Sequence, residues 1–195
     1  MKGILSFFGM LLAQLGKALS KERGLTEQEK RIVRKVFGQS IDANRIRVTV
    51  WSAVGFLAAK MNGGRTFTME NLIYQPKDKP LTEVALVHEC VHVWQWRKYG
   101  YSYMADALCS QWFGHGYNVT DDEVLRAVQN PSGTAAGFDA LEREQQAVVV
   151  QVFHTSQMYG KSEAVKVAYK KLAAVVWSEQ PPLGLAVEET AKLVR

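Results

Sequence analysis

The sequence predicts an α+β domain that is mainly helical, with a small antiparallel sheet ahead of a long helix. Three observations predict it. In the first half, residues 45–51 ("RIRVTVW") alternate charged or polar with apolar residues, a strand signal, and residues 66–74 ("TFTMENLIY") are a second strand candidate. The run 81–99 has neither Gly nor Pro and stops at Gly100, which is a helix with its stop signal. Beyond it, apolar residues recur at helical spacing almost to the C-terminus. With 195 residues, 47% hydrophobic and 22% charged, the chain has the length and composition of one globular domain with a sizeable core.

Residues 1–24 stand apart from the domain at 25–195. Ile4, Phe8, Leu11, Leu15 and Leu19 fall on one helical stripe, with Ser6, Gly9, Lys17 and Ser20 opposite, so an amphipathic helix is expected. It is too short to span a bilayer. Ala18-Leu19-Ser20 also resembles a signal-peptide cleavage site, and that second reading stays open. A docking helix would keep the protein in the cytoplasm until something else exports it. A signal sends it to the periplasm or beyond.

Lys21 to Gly24 reads as a charged hinge. Thr26 and Glu29 have capping-box spacing, and Ile32, Val33, Val36 and Phe37 follow on one face, so residues 26–37 form a helix ending near Gly38. Residues 45–51 and 66–74 are strands, separated by an Asn62-Gly63-Gly64 turn. Residues 75–80 are a loop with two prolines. Residues 106–113 form a short helix. Thr120 and Glu123 open another, to about Gln129. After the break at 130–134, one long helix runs 138–159, then 162–177, and a last helix follows Pro181 and Pro182.

The net charge is +5, from 24 basic and 19 acidic residues. The basic residues are scattered, and Lys161, Lys166, Lys170 and Lys171 form a solvated helical face, so no nucleic-acid footprint is expected. Cys90 and Cys109 form no CxxC and read as small buried apolar residues.

The chemistry lies in "VHECVHVWQW", residues 87–96. On a helix, His88 and His92 at i and i+4 project one above the other, so both imidazoles can reach one point. Zinc takes such nitrogens at about 2.0–2.1 Å. Glu89 borders that point without being bound to it, where a general base belongs. It would take a proton from water that zinc acidifies to a pKa of about 7, and pass it to the leaving amine. This is H-E-x-x-H, the signature of zinc peptidases. Trp94 and Trp96 read as core and rim packing.

Two histidines leave zinc short of one protein ligand, and Asp139, Glu142 and Glu144 are the acids available on the later helix. Glu142 and Glu144 lie about 200° apart on a helix, so only one can face the metal. Periodicity does not choose between them, although the apolar stripe Phe138, Leu141, Val148, Val149 and Val152 lies slightly nearer Glu142. Donors for a developing oxyanion are His115, Tyr117, His154 and Tyr159.

Taken together, "LTEQEKRIVRKVFGQSIDANRIRV", "HECVHVWQW" and "EREQQAVVVQVF" resemble a bacterial family of small zincin-like metallopeptidases, the Vgr-related proteins, kin to metallopeptidase domains of contractile injection systems. The likeness spans residues 25–153. It implies a zincin-like fold and a Glu-Gln-Gln-Ala motif that maps onto Glu144 to Ala147, making Glu144 the third zinc ligand with Glu142 in reserve. The family has a less reactive residue at Cys90. Many glutamate zincins carry an Asp four residues after the ligand; Val148 stands there, so support for a histidine ligand must come from elsewhere. In such a fold the strand at 66–74 walls the cleft and pairs with an extended substrate.

The expectation is therefore a zinc metallopeptidase acting on a protein or cell-wall peptide, as a secreted effector or processing enzyme. The alternative is a non-catalytic zinc-containing module of a secretion apparatus, or an adaptor docking on a partner or membrane through the N-terminal helix.

Overall fold

The computed structural model describes residues 22–49, 64–76, 79–100, 102–103, 106, 116–155 and 157–178. The expected N-terminal helix or signal at 1–20, most of the short helix at 106–113, the last helix, Cys109 and His115 lie outside the described residues.

The described chain is α+β and mainly helical. Strand β1 is Glu22–Gly24, β2 is Arg47–Thr49, β3 is Phe67–Met69 and β4 is Leu72–Tyr74. They form one sheet in the order β1-β2-β4-β3. The expected antiparallel sheet is in fact mixed: β2 and β4 run parallel, whereas β1–β2 and β3–β4 are antiparallel. Three differences produce this. The presumed hinge is strand β1, held by Arg23, whose guanidinium donates twice to the Glu29 carboxylate at 2.7 and 2.8 Å. The segment at 66–74 is a tight hairpin, turning at Glu70, which takes a left-handed φ of 57°. Of its two strands, β4 is buried throughout and so lies centrally, with Val48 beside Ile73 in the core. Strand β3 is left at the edge.

Helix α1, Glu27–Phe37, starts at the expected capping box: Glu29 N donates to Thr26 Oγ1 and Thr26 N donates to Glu29 Oε2. Helix α2, Glu83–Tyr99, is capped by Thr82 and stopped by Gly100. Every residue from Leu86 to Gln95 is buried, so α2 is a central helix with no solvated face along those turns. Helix α3, Asp121–Val128, has the Thr120–Glu123 capping box.

The long helix expected at 138–159 is two helices. Helix α4 is Thr134–Ala140 and α5 is Arg143–His154. In an unbroken helix the carbonyls of Phe138 and Leu141 would accept from the backbone four residues on. Here the side-chain amide of Gln146 donates to both, at 2.9 and 3.2 Å. Glu142 N donates instead to Gln145 Oε1. The apolar stripe continues across the break because Phe138 and Leu141 both stay in the core, which is why periodicity alone reads one helix. Gly137 lets α4 close on α3: a Cβ there would lie 1.8 Å from Ala127 O.

Helix α6, Glu163–Ala173, and the short α7, Val175–Ser178, complete the described chain. One hydrophobic cluster runs from Leu25 to Val176 through all these helices. Helix α2 packs against α5, α1 and β3, which sets the edge strand and the first turn of α5 on either side of the H-E-x-x-H segment. No helix among the described residues is long and apolar enough to cross a membrane.

Candidate metal centre

Helix α2 carries His88 and His92 one turn apart, and α5 brings Glu144 to them from its first turn. Glu144 Oε2 is 3.1 Å from His88 Nε2 and 3.5 Å from His92 Nε2. The three ligand atoms lie within 4.8 Å of one another. All three side chains are buried, Glu144 to 2% exposure. This His-His-Glu group could hold a metal ion.

The hydrogen bonds of the donor set fix which ring nitrogens face the centre. His92 Nδ1 meets Gln95 Oε1 at 2.8 Å, and His88 Nδ1 meets Gln151 Oε1 at 3.1 Å. An amide oxygen only accepts, so each Nδ1 carries the proton. Both Nε2 lone pairs then point at a carboxylate oxygen. Three lone pairs converging in a buried site repel unless a cation stands among them. Without metal that cation is a proton. Burial alone would pull the His92 pKa down, but the Glu144 carboxylate outweighs it and carries His92 up to about 9. Burial likewise pushes Glu144 up, and the two imidazoles outweigh that, holding it far below the carboxylate range. Two imidazole nitrogens and a carboxylate oxygen suit a divalent ion equally well.

Glu89 is next to His88 but turned towards the sheet. Its Oε2 accepts from Thr68 Oγ1 of the edge strand at 2.8 Å. Thr68 is held in turn by Tyr103, whose hydroxyl donates to Thr68 O at 2.9 Å. Glu89 is 4% exposed. Burial raises its pKa, and the imidazoles and Thr68 lower it only in part, so it stands above its ordinary value. A carboxyl so tuned can both take and release a proton.

The other acids do not reach the centre. Glu142 is the extended residue before α5, and Asp139 on α4 accepts from Lys98 at 2.9 Å and from the Tyr99 hydroxyl at 2.6 Å. Beyond the break at Leu141, α5 starts anew and its first turn carries Glu144 to the histidines.

Of the four oxyanion-donor candidates, the structure brings Tyr117 to the site. Its ring lies 5.6 Å from His88, with the Arg65 guanidinium 4.5 Å over it. Burial first, then Glu144, pushes the hydroxyl up to about 12, so it remains a donor. His154 and Tyr159 lie away from the site. His154 is ten residues past Glu144, about 15 Å along α5, with its ring against Phe153. Tyr159 is fully exposed, at 101%. Trp94 is core, edge-on to Phe138 and Tyr99. Cys90 is fully buried, and burial pushes its thiol well up, which leaves it unreactive.

Sequence reading missed Gln95, Gln146, Gln151, Thr68 and Tyr103. Two carried a signal: Gln95 is three residues after His92, and Gln151 seven after Glu144, both on ligand faces. Thr68, Tyr103 and Gln146 act through contacts between elements, which no periodicity records. These glutamines supply the support that Val148 cannot.

Comparison of the chain with family models, with curated proteins and with solved structures finds no match.

Proposed function

We propose that this protein is a zinc-dependent metallopeptidase of the zincin-like type, related to the Vgr-associated enzymes its motifs resemble. His88, His92 and Glu144 hold the zinc and Glu89 is the general base. The observation that carries the reading is Glu89 itself: a buried carboxyl of raised pKa, adjacent to a His-His-Glu cluster, with one oxygen engaged by Thr68.

Bound zinc supplies Lewis acidity, lowering the pKa of a water to about 7 and polarising a carbonyl. The chain does the rest. Gln95 and Gln151 hold the imidazoles with Nε2 presented. Glu89 takes a proton from the attacking water and delivers it to the leaving amine, while Thr68 keeps the carboxylate oriented. Tyr117 donates to the developing oxyanion, and Arg65 over its ring favours negative charge there. An extended substrate pairs with edge strand β3, which presents a protein or cell-wall peptide to the base. Export by a secretion system, as effector or processing enzyme, accords with the resemblance.

Near-complete burial of the three ligands favours a second reading, a zinc module without catalysis. Glu89→Gln separates the two. The variant should keep stoichiometric zinc and lose about 10²–10⁴-fold in hydrolysis of a peptide library. Unchanged hydrolysis would remove Glu89 from the mechanism. A zinc-loaded wild type that cleaves nothing would leave the structural module.

A further inference from the structure

We propose that Gln146 is a positioning residue for the centre, acting through Gln95 to fix which nitrogen of His92 faces Glu144. This rests on the metal-binding part of the reading above, and not on catalysis.

Gln95 and Gln146 are both completely buried. Gln146 Nε2 donates to Phe138 O and Leu141 O at 2.9 and 3.2 Å. Backbone carbonyls cannot donate, so the amide cannot be turned round. Gln146 Oε1 must then accept, and it does: from Gln95 Nε2 at 3.0 Å and from Arg143 Nη1 at 3.3 Å. The second hydrogen of Gln95 Nε2 goes to Arg143 O at 2.9 Å. Gln95 is thereby fixed as well, with Oε1 facing His92 Nδ1 at 2.8 Å. That oxygen can only accept, so Nδ1 carries a hydrogen and Nε2 is the nitrogen left facing Glu144 Oε2, 3.5 Å away, to bind the ion or proton held between them.

The direction of every bond is thus set by two carbonyls at the α4–α5 break, and both hydrogens of each amide are used. The same break aims Glu144. One local irregularity therefore orients a carboxylate and, through two amides, an imidazole. His88 has no equivalent anchor: its Gln151 donates onward to Gln157, an exposed side chain. The relay is specific to His92.

The test is zinc affinity by chelator competition, with ¹⁵N NMR of the His92 ring in the zinc-loaded protein. Wild type should show a protonated Nδ1 and a ligated Nε2. Gln95→Met should weaken zinc about 10–100-fold, the usual cost of removing a residue that supports a ligand. The hydrogen bonds of Gln146 to Gln95, Phe138 and Leu141 touch no ligand, yet Gln146→Met should weaken zinc as well. The double variant should bind no worse than Gln95→Met, because both act through one bond. Zinc bound as in wild type by Gln146→Met, or effects that multiply in the double variant, would overturn the relay. Should Gln146→Met fail to fold, Gln95→Met decides: wild-type affinity and an unaltered His92 signal overturn the proposal, and loss of both sustains it. A wild type that binds no zinc removes the metal-centre reading first, and the relay with it.

Discussion

Thr68 Oγ1 donates to Glu89 Oε2 at 2.8 Å, joining the edge strand of the sheet to the acid of the central helix. In the proposed mechanism this bond ties the base to the wall along which a peptide would lie. It favours the charged form of Glu89, against the burial that disfavours it. Thr68→Val keeps the shape and removes the donor. Zinc content should be unchanged, and the acidic limb of the kcat/KM profile should move to higher pH. Hydrolysis should fall by about tenfold or more, since a hydrogen bond to a charged group is worth about 1.5–3 kcal/mol. An unmoved acidic limb would show that Thr68 does not tune the base.

Glu144 and Glu142 should separate cleanly by metal content. Glu144→Ala removes the carboxylate 3.1 Å from His88 Nε2. It should weaken zinc by more than the roughly 10–100-fold expected for losing a mere supporting residue. Glu142→Ala changes only the start of α5, and should keep full zinc with a stability loss of about 1 kcal/mol or less. Zinc lost from Glu142→Ala alone would reverse the assignment.

Stability of the metal-free protein should depend on pH in a definite sense. His92 rises from 6.5 to about 9 on folding, so its contribution is full below pH 6.5 and is lost as pH rises through about 9. Glu144 is depressed from 4.5, so its contribution is present above pH 4.5 and is lost as pH falls below that. Thermal melts in chelator should therefore peak between pH 4.5 and 6.5. Glu144→Gln should flatten both flanks. Zinc must displace the shared proton, so its affinity should climb with pH over the range where the metal-free fold weakens. A metal-free Tm that holds level from pH 6.5 to 9 would contradict the pairing.

Gly137→Ala tests how α5 is aimed. The new methyl would lie 1.8 Å from the backbone oxygen of Ala127, with no flexible side chain to give way. Forced overpacking of this kind costs about 1–3 kcal/mol or more. The variant should lose Tm and, because α4 leads directly into the break before Glu144, should bind zinc more weakly. Wild-type Tm would mean that α3 and α4 part freely.

How much was legible in the sequence follows from the range of each interaction. Within one helical turn, the sequence by itself determined a good deal. The capping boxes at Thr26–Glu29 and Thr120–Glu123, the unbroken run into Gly100, and the stacking of His88 over His92 all depend on residues three or four apart, whose geometry the helix imposes whatever surrounds it. The α+β class and the mainly helical content follow from the same local signals.

Only the tertiary structure decided the rest. It made the sheet mixed, because burial puts β4 rather than β3 beside β2. It brought Glu144, and not Glu142, to the histidines, because the chain breaks at Leu141 and α5 begins anew beyond it. It set Thr68 on Glu89 across 21 positions of sequence. Apolar periodicity reports which face of a segment is buried, and the stripe through Phe138 and Leu141 is the same with or without the break. Which buried polar group answers which is settled by contacts between elements, and those exist only once the chain has folded.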